Sequence, residues 1–188
     1  MSGSGLVDRV RRIVRSPRDE WIKIAAEPAT VQSLYTNWIM ILAAIGPIAL
    51  LLSMHPLQVA VAQYVRSLIT TFVLALVVDA LAPSFGGTKD FTASLKLTAY
   101  SYTAAWLAGI FNLLGTLGDI VILIATLYTL YTFLVGAPLL NRSSPDKAVP
   151  FTLVVVLCGV VLFFLARFAF TGMLAPPPLH AGMGVAIR

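Results

Sequence analysis

The sequence predicts an all-α fold, a polytopic integral membrane helical bundle with five transmembrane helices, preceded by a short amphipathic N-terminal helical region. Three observations predict it. The 188 residues are 59% hydrophobic and only 11% charged, which is too little polar surface for a soluble domain. Five segments are mainly apolar over about 20 residues, the length that a helix needs to cross the hydrocarbon core. Basic residues concentrate on one predicted side of the membrane, and this bias sets the orientation.

The N-terminal segment, residues 1–35, is predicted to be cytoplasmic and to form two short helices. It divides at Ser16 and Pro17, because serine suits a helix N-cap and proline suits the first helical position. Apolar residues of the first helix share one face, namely Leu6, Val10, Ile13 and Val14. Basic residues cover much of the rest and are candidate lipid-surface residues: Arg9, Arg11, Arg12 and Arg15. This pattern favours a helix lying on anionic lipid, and the alternative is a solvated face of a short tail.

The membrane domain is predicted over residues 36–174. Its five helices are expected at 36–54, 64–83, 96–114, 117–140 and 150–174. Glycine, proline and asparagine separate them, and the third and fourth helices should form a tight hairpin at 115–118. Pro47 should bend the first helix, because proline removes a backbone donor. Residues 175–188, with three consecutive prolines, predict a flexible C-terminal tail.

The distribution of basic residues predicts that the N-terminus is inside and the C-terminus outside. Cytoplasmic loops retain lysine and arginine. The N-terminal side of this topology would hold Arg9, Arg11, Arg12, Arg15, Arg18, Lys23, Lys89, Lys96, Arg142 and Lys147. The opposite side would hold only Arg66 and Arg188, and Arg167 lies within the last helix. The bias persists when only residues near a helix end are counted.

Polar residues inside the predicted helices form two layers, and such residues usually face the interior of a bundle. The cytoplasmic layer holds Asp79, Tyr100, Ser101, Tyr102 and Tyr131. The external layer holds Asn112, Asp119 and Arg167. Tyr128 lies at the middle of the fourth helix, where its hydroxyl needs a hydrogen-bond partner or a watery cavity.

Three contacts are predicted from these positions. Asp79 should reach the interface or pair with Lys89 or Lys96, although a functional role in the bundle is the alternative. Arg167 should snorkel outward or meet Asp119 in a contact that stabilises the fold. Small residues at four-residue spacing mark the helix-packing centre of the bundle, namely Ser101, Ala105 and Gly109.

Catalytic chemistry is absent from the sequence pattern. His55 and His180 have no cysteine or carboxylate cluster at metal-ligand spacing, and no phosphate loop or nucleophile motif occurs. The single cysteine, Cys158, lies in an apolar run and is predicted to pack as a small hydrophobe. Neither a metal nor another cofactor is predicted, and the positive charge is expected to act on the membrane rather than on nucleic acid.

Five ordered motifs resemble the Ypt/Rab-interacting-protein (Yip) family of five-span membrane proteins, in its short bacterial branch. They are SPRDEWIKIAAEPAT at 16–30, DALAPSFGGTKDF at 79–91, AYSYTAAWLAGI at 99–110, LYTLYTFLVGAPLL at 127–140 and SPDKAVPFT at 144–152. Together they cover nearly the whole chain. The resemblance implies multi-pass localisation in the cell membrane, here the bacterial inner membrane.

The leading functional hypothesis is a non-enzymatic adaptor or organiser. It would interact with membrane lipids, and with other membrane proteins or further copies of itself. Eukaryotic relatives resemble adaptors that engage Rab-type GTPases through a larger N-terminal region. No Rab-binding residue can be assigned to the 35 residues here, so GTPase binding is not transferred. The alternative is a small transporter or channel subunit in which Asp79, Tyr100, Tyr128 and Tyr131 line a polar path.

Overall fold

A computed structural model of the chain describes residues 5–174 as α-helical, with no strand in that range. The predicted C-terminal tail at 175–188, with His180 and Arg188, lies outside the described residues. The helices in chain order are α1 Leu6–Arg15, α2 Pro17–Ala26, α3 Val31–Leu34, α4 Met40–Ala43, α5 Ile45–Leu52, α6 Leu57–Leu81, α7 Phe91–Ser101, α8 Thr103–Ala108, α9 Thr116–Leu140 and α10 Ala148–Leu174. A π-helical turn covers Tyr35–Ile39, and 3-10 turns cover Ala82–Phe85, Gly109–Leu114 and Pro145–Lys147.

Within residues 5–174, four helical segments are long and apolar enough to cross a membrane. They are Val31–Leu52, Leu57–Phe85, Thr116–Leu140 and Ala148–Ala169. Large apolar side chains remain exposed along α9 and α10, including Leu123, Leu127, Leu157 and Phe164. An apolar belt of this kind is costly in water and favourable against acyl chains.

The predicted third membrane helix, 96–114, differs from the other four. It is divided into α7, α8 and the 3-10 turn Gly109–Leu114, and the break falls at Tyr102. All residues from Ala93 to Ser101 are buried, because α7 packs against both α6 and α9. Its environment is therefore mostly protein. It carries a buried lysine, Lys96, which lowers the apolar character of the segment.

The first membrane helix is bent where proline predicts it. Pro47 has no backbone N–H for the carbonyl of Ala43, and the helix is interrupted at Ala44 between α4 and α5. The sequence gives no signal for the additional π-helical turn at Tyr35–Ile39. The π-helical turn and the interruption at Ala44 both lie in the membrane-length segment Val31–Leu52.

A backbone contact joins α5 to the 3-10 turn after α8. It lies at the end of the bundle that contains the turns at 53–56 and 109–118, which we call the distal end. Gly109 meets Gly46 so closely that a Cβ on Gly109 would lie 2.8 Å from the Gly46 Cα. Only two glycines permit this approach. Ser101 is also buried, whereas Ala105 is only half-buried. Of the predicted packing residues Ser101, Ala105 and Gly109, it is therefore Gly109, at the distal end, that makes the tightest contact.

Candidate functional site

Polar and charged side chains concentrate at the opposite end of the molecule, which we call the docked end. It consists of α1 and α2, the loops 82–90 and 141–147, and the helix ends that these loops join. The predicted division of the N-terminal segment at Ser16 and Pro17 is confirmed by α1 and α2. The predicted serine cap does not form, since the Ser16 side chain makes no capping hydrogen bond.

The apolar face of α1 packs on the bundle and not on lipid. Ile13 is buried, and Leu6 and Val10 pack against the same core. Of the four predicted residues only Val14 is exposed, and it shares the outer surface with Val7. The hydrophobic face of a short helix gains as much from protein as from lipid, and the sequence pattern does not distinguish the two.

The four arginines of α1 divide into two pairs. Arg9 and Arg12 turn inward to Glu20 of α2, whose side chain is only 1% exposed. The Arg12 Nε donates to Glu20 Oε2 at 2.8 Å, and the Arg9 Nε lies 3.5 Å from Glu20 Oε1. Arg11 and Arg15 are exposed. Half of the predicted lipid-surface arginines therefore hold the two helices together.

Arg9 also connects the N-terminal helices to the bundle. Its guanidinium donates to Glu27 and to the Tyr100 hydroxyl, the latter at 3.4 Å, and lies 5.9 Å from the centre of the Tyr100 ring. The hydrogen bond with Glu27 raises the pKa of Arg9, against an opposing effect of burial. The same bond lowers the pKa of the Glu27 carboxyl below its usual range. Both groups are therefore held in their charged forms.

Trp21 of α2 is the largest side chain buried at the docked end. Its ring meets Tyr100 edge to face, with centroids 6.3 Å apart, and it lies directly over Gly136 of α9. A Cβ on Gly136 would come within 2.6 Å of Trp21 and 2.8 Å of Leu97. The glycine at this position therefore creates the space that the indole fills. A tryptophan shortly before a membrane helix is typical of an interfacial anchor, but Trp21 is buried against protein.

Lys96 of α7 caps the C-terminal end of α2. Its ammonium group donates to the backbone carbonyls of Ile24 and Glu27, the second at 2.7 Å, and its side chain is buried. The last carbonyls of a helix lack intrahelical partners and carry partial negative charge, so a cation there is favourable. Lys96 therefore does not pair with Asp79 as one prediction held.

A buried amide ties the loop after α9 to the loop before α7. The Asn141 Nδ2 donates to the Ser94 Oγ at 2.8 Å, and the Thr88 backbone N–H donates to the Asn141 carbonyl at 2.9 Å. Asn141 is fully buried. These bonds fix the two loops relative to one another and form a buried polar unit at the docked end.

Asp79 and Ser101 occupy the interior near this unit. Asp79 is 7% exposed, and its Oδ1 has no hydrogen-bond partner among the described residues. The ion pair predicted with Lys89 or Lys96 does not form within residues 5–174. The Ser101 hydroxyl likewise has no described partner, although its carbonyl accepts from the Thr132 hydroxyl at 3.3 Å.

Tyr128 and the tyrosines of the predicted cytoplasmic layer contact different parts of the chain. The Tyr128 hydroxyl donates to the carbonyl of Val14 at 2.9 Å, so it helps to hold the end of α1. Tyr131 is exposed beside it, with ring centroids 5.7 Å apart. Tyr100 packs on Trp38 at 4.7 Å between centroids, and Tyr102 packs on Trp106. The bond that Tyr128 requires is therefore structural.

The predicted external layer lies near the distal end, and its polar residues make fewer described contacts than those of the docked end. Asn112 is half-buried close to Gly46, and Asp119 is exposed. The predicted ion pair between Asp119 and Arg167 is not formed among the described residues. Arg66 of α6 lies over the ring of Phe163 of α10, 5.8 Å from the ring centre.

One cavity opens at the docked end. It encloses about 510 Å³ between the segment after α2, the start of α7 and the end of α9. Its charged lining residues are Glu27, Lys89, Asp90, Lys96 and Arg142. Within residues 5–174 no group of three histidine, cysteine or carboxylate side chains is placed to hold a metal ion.

The buried polar contacts of the docked end escaped sequence reasoning because their partners are far apart in the chain. The sequence pattern places Lys96 and Arg9 among the cytoplasmic charges, and Glu20 is not among the candidate residues. One signal was available, since a glutamate one turn into a helix that follows an arginine-rich helix has cations within reach. Gly136 gave no such signal, because a glycine in an apolar run has many explanations.

Four apolar membrane-length helices around a buried polar end define a multi-pass α-helical membrane protein. The model of the Yip1 domain family matches residues 11–167, and the chain belongs to that family. The match includes all of α2 and the second half of α1, so both docked helices contribute to the domain. No curated protein and no solved structure is significantly similar to the chain.

Proposed function

We propose that the protein is a non-enzymatic membrane adaptor that presents its docked N-terminal helices to the lipid surface and to neighbouring membrane proteins. The observation that carries this proposal is the division of α1 into two faces. Its inner face is tied to the bundle by Arg9, Arg12 and Ile13, while its outer face exposes Val7, Arg11, Val14 and Arg15. Exposed apolar and basic residues on one helix surface suit the boundary of an anionic membrane.

A contact between α1 and a membrane-length helix supports a position of α1 at the membrane. The Tyr128 hydroxyl of α9 donates to the carbonyl of Val14, near the end of α1, at 2.9 Å. Because α9 is itself of membrane-spanning composition, α1 is held against a helix that meets lipid.

For the topology, we infer five membrane segments, with α7, α8 and the following 3-10 turn as the third, and the docked end in the bacterial cytoplasm. The clustering of basic residues at the docked end supports this orientation. A C-terminal fusion to a reporter that is active only outside the cytoplasm is expected to be active. Activity confined to a cytoplasmic reporter at the same position would contradict the topology.

The adaptor role is tested by affinity purification of the full chain from native membranes, with proteomics and lipid analysis. We expect specific partners or anionic lipids to accompany the wild type and to be reduced in Arg11→Gln/Arg15→Gln. A control outside α1 is Lys147→Gln, which removes one exposed basic residue where the test variant removes two. Co-purification of nothing specific with the wild type would contradict the adaptor role.

Transport remains a second candidate because of Asp79, whose buried Oδ1 lacks a described partner. Proteins place such carboxyls in ion pathways. The surroundings favour a structural role, since Tyr100 and Tyr128 bind other parts of the chain. A flux assay in proteoliposomes separates the two functions. Proton or cation flux that is abolished by Asp79→Asn would establish transport and displace the adaptor proposal.

A further inference from the structure

The cavity at the docked end carries more positive than negative charge. Lys89, Lys96 and Arg142 line it, against the carboxylates of Glu27 and Asp90. Both carboxylates have bonds elsewhere, because Glu27 accepts from Arg9 and the Asp90 Oδ1 accepts from the Ala93 backbone N–H at 3.0 Å. Within residues 5–174 neither Lys89 nor Arg142 lies within ion-pair distance of a carboxylate. Two cations therefore face the cavity without a described counterion.

The walls of the cavity are rigid. Lys96 is fixed by the carbonyls of Ile24 and Glu27, and the loops that carry Lys89 and Arg142 are joined by the bond from Thr88 to Asn141. Arg142 itself has φ +53°, a left-handed conformation that non-glycine residues rarely adopt. Backbone strain of this kind often accompanies a functional position. An arginine is thus held at the cavity where a glycine would be less strained.

The position of the cavity indicates which anion it meets. Leu139 and Leu140, the last two residues of a membrane-length helix, form part of its lining, and Leu139 is exposed. The end of such a helix lies at the boundary between acyl chains and headgroups. The anion available at this boundary is the phosphate of a lipid, whose acyl chains would meet the apolar side chains of the lining.

We propose that this cavity binds the phosphate of an anionic phospholipid headgroup through Lys89, Arg142 and the fixed Lys96. Arginine offers paired donors to phosphate oxygens, and lysine acts as a point charge. A zwitterionic headgroup would bring its own cation to a positively charged rim and bind less well. The site concerns a specific bound lipid. It does not require that α1 binds a partner. It rests on the proposed function only for the assignment of the docked end to the cytoplasmic side of the membrane.

The test measures lipid binding to the detergent-solubilised full chain by native mass spectrometry, together with thermal stability. Phosphatidylglycerol is expected to bind in one tight copy and to raise Tm, and phosphatidylcholine is not. Each basic residue near anionic lipid increases binding about fivefold, so Lys89→Gln/Arg142→Gln should weaken the tight copy roughly 25-fold. The matched control, Arg11→Gln/Arg15→Gln, removes the same charge from α1 and should leave that copy bound.

A second variant separates binding from folding. Arg142→Gly should relieve the left-handed strain and keep or raise Tm in the absence of lipid, while it weakens phosphatidylglycerol binding. Inorganic phosphate distinguishes the two sources of the ligand. Equal protection by inorganic phosphate and phosphatidylglycerol would overturn the lipid assignment. Equal binding of phosphatidylcholine, or unchanged binding in Lys89→Gln/Arg142→Gln, would overturn the site.

Discussion

The two ends of the bundle are held together by different means. At the docked end, buried charges and one large indole join α1 and α2 to each other and to the membrane helices, through Glu20, Trp21 and Lys96. At the distal end, Gly46 and Gly109 bring two backbones into direct contact with no charge involved. The docked end therefore depends on pairs of polar partners, and the distal end depends on the absence of side chains.

This difference implies different responses to mutation. Removal of one partner of a buried ion pair leaves the other charge without compensation, which costs more than the net stability of the pair. An added methyl group between two backbones cannot be accommodated by rotation of a side chain. The docked end should come loose by itself, whereas damage to the distal end should affect the whole bundle.

The largest effect is expected from Glu20→Gln. Glu20 is almost fully buried and receives both Arg9 and Arg12, so the substitution should destabilise docking of the N-terminal helices by about 3 kcal/mol. Protease protection of residues 6–26 in micelles measures this directly. The adjacent exposed carboxylate provides the control, Asp19→Asn, which should change little. Equal protection in Glu20→Gln and wild type would show that the ion cluster does not hold α1 and α2.

Gly109→Ala should be the next largest and should act at the distal end. The new Cβ would lie 2.8 Å from the Gly46 Cα and 3.0 Å from its nitrogen, and the backbone must shift, at a cost of about 2 kcal/mol. Thermal unfolding followed by tryptophan fluorescence measures the loss. Gly159→Ala is the matched control, since its nearest neighbour would be 3.7 Å away. If both variants melted at the same temperature, the close contact at the distal end would be unimportant.

A smaller effect is expected from Gly136→Ala, which adds the same methyl group at the docked end. Its neighbours are the side chains of Trp21 and Leu97, which can move more readily than a backbone, so the cost should be about 1 kcal/mol. Proteolysis should show that α2 is released before the bundle unfolds. If Gly136→Ala lowered the unfolding temperature of the whole bundle and α2 stayed protected until the bundle unfolded, the two ends would not be independent.

Acid should destabilise only the docked end, and this effect should be smaller than those of the three substitutions above. The pKa of Glu27 is lowered by its bond to Arg9, from a usual value of 4.5. A carboxyl with a lowered pKa in the folded state stabilises it above the usual pKa, and this contribution is lost as pH falls through the lowered value. Protease protection of α1 should therefore be constant from pH 7 to about 5 and decrease below about 4.

The control for this prediction is Glu27→Gln, which removes the titrating group. Its protection should be lower than that of the wild type at neutral pH and should vary less between pH 5 and pH 3. Because Glu27 is largely exposed, solvent screens its pair with Arg9 and keeps the effect small. A wild-type profile that is parallel to that of Glu27→Gln would assign the acid response to another group.

The sequence predicted the distal end better than the docked end, for a physical reason. Small residues at helical spacing are visible locally, so the stripe that includes Gly109 and the proline bend at Pro47 could be found by inspection. The division at Ser16 and Pro17 and the long apolar helices are local signals too. Contacts such as Lys96 to Ile24 join residues 72 positions apart, and their chemistry appears only after the chain has folded.

The distribution of charge led to wrong predictions at specific residues. Arginines of α1 satisfy the pattern of a lipid-binding helix whether they face lipid or a buried glutamate, and Arg9 and Arg12 face the glutamate. The expected pair of Asp119 and Arg167 was inferred from depth along each helix. Depth does not define which side of a helix faces which neighbour, and Asp119 and Arg167 do not pair among the described residues. Rotation of helices about their axes was the missing information.

The central claim is that α1 and α2 are built into the bundle by protein contacts and are not held by lipid alone. Hydrogen–deuterium exchange of the full chain in nanodiscs of zwitterionic lipid tests it most directly. We predict slow exchange of the amides in α1 and α2 in the wild type, and fast exchange in Glu20→Gln with the rest of the bundle unchanged. Fast exchange of α1 and α2 in the wild type, slowed only when anionic lipid is added, would contradict the claim.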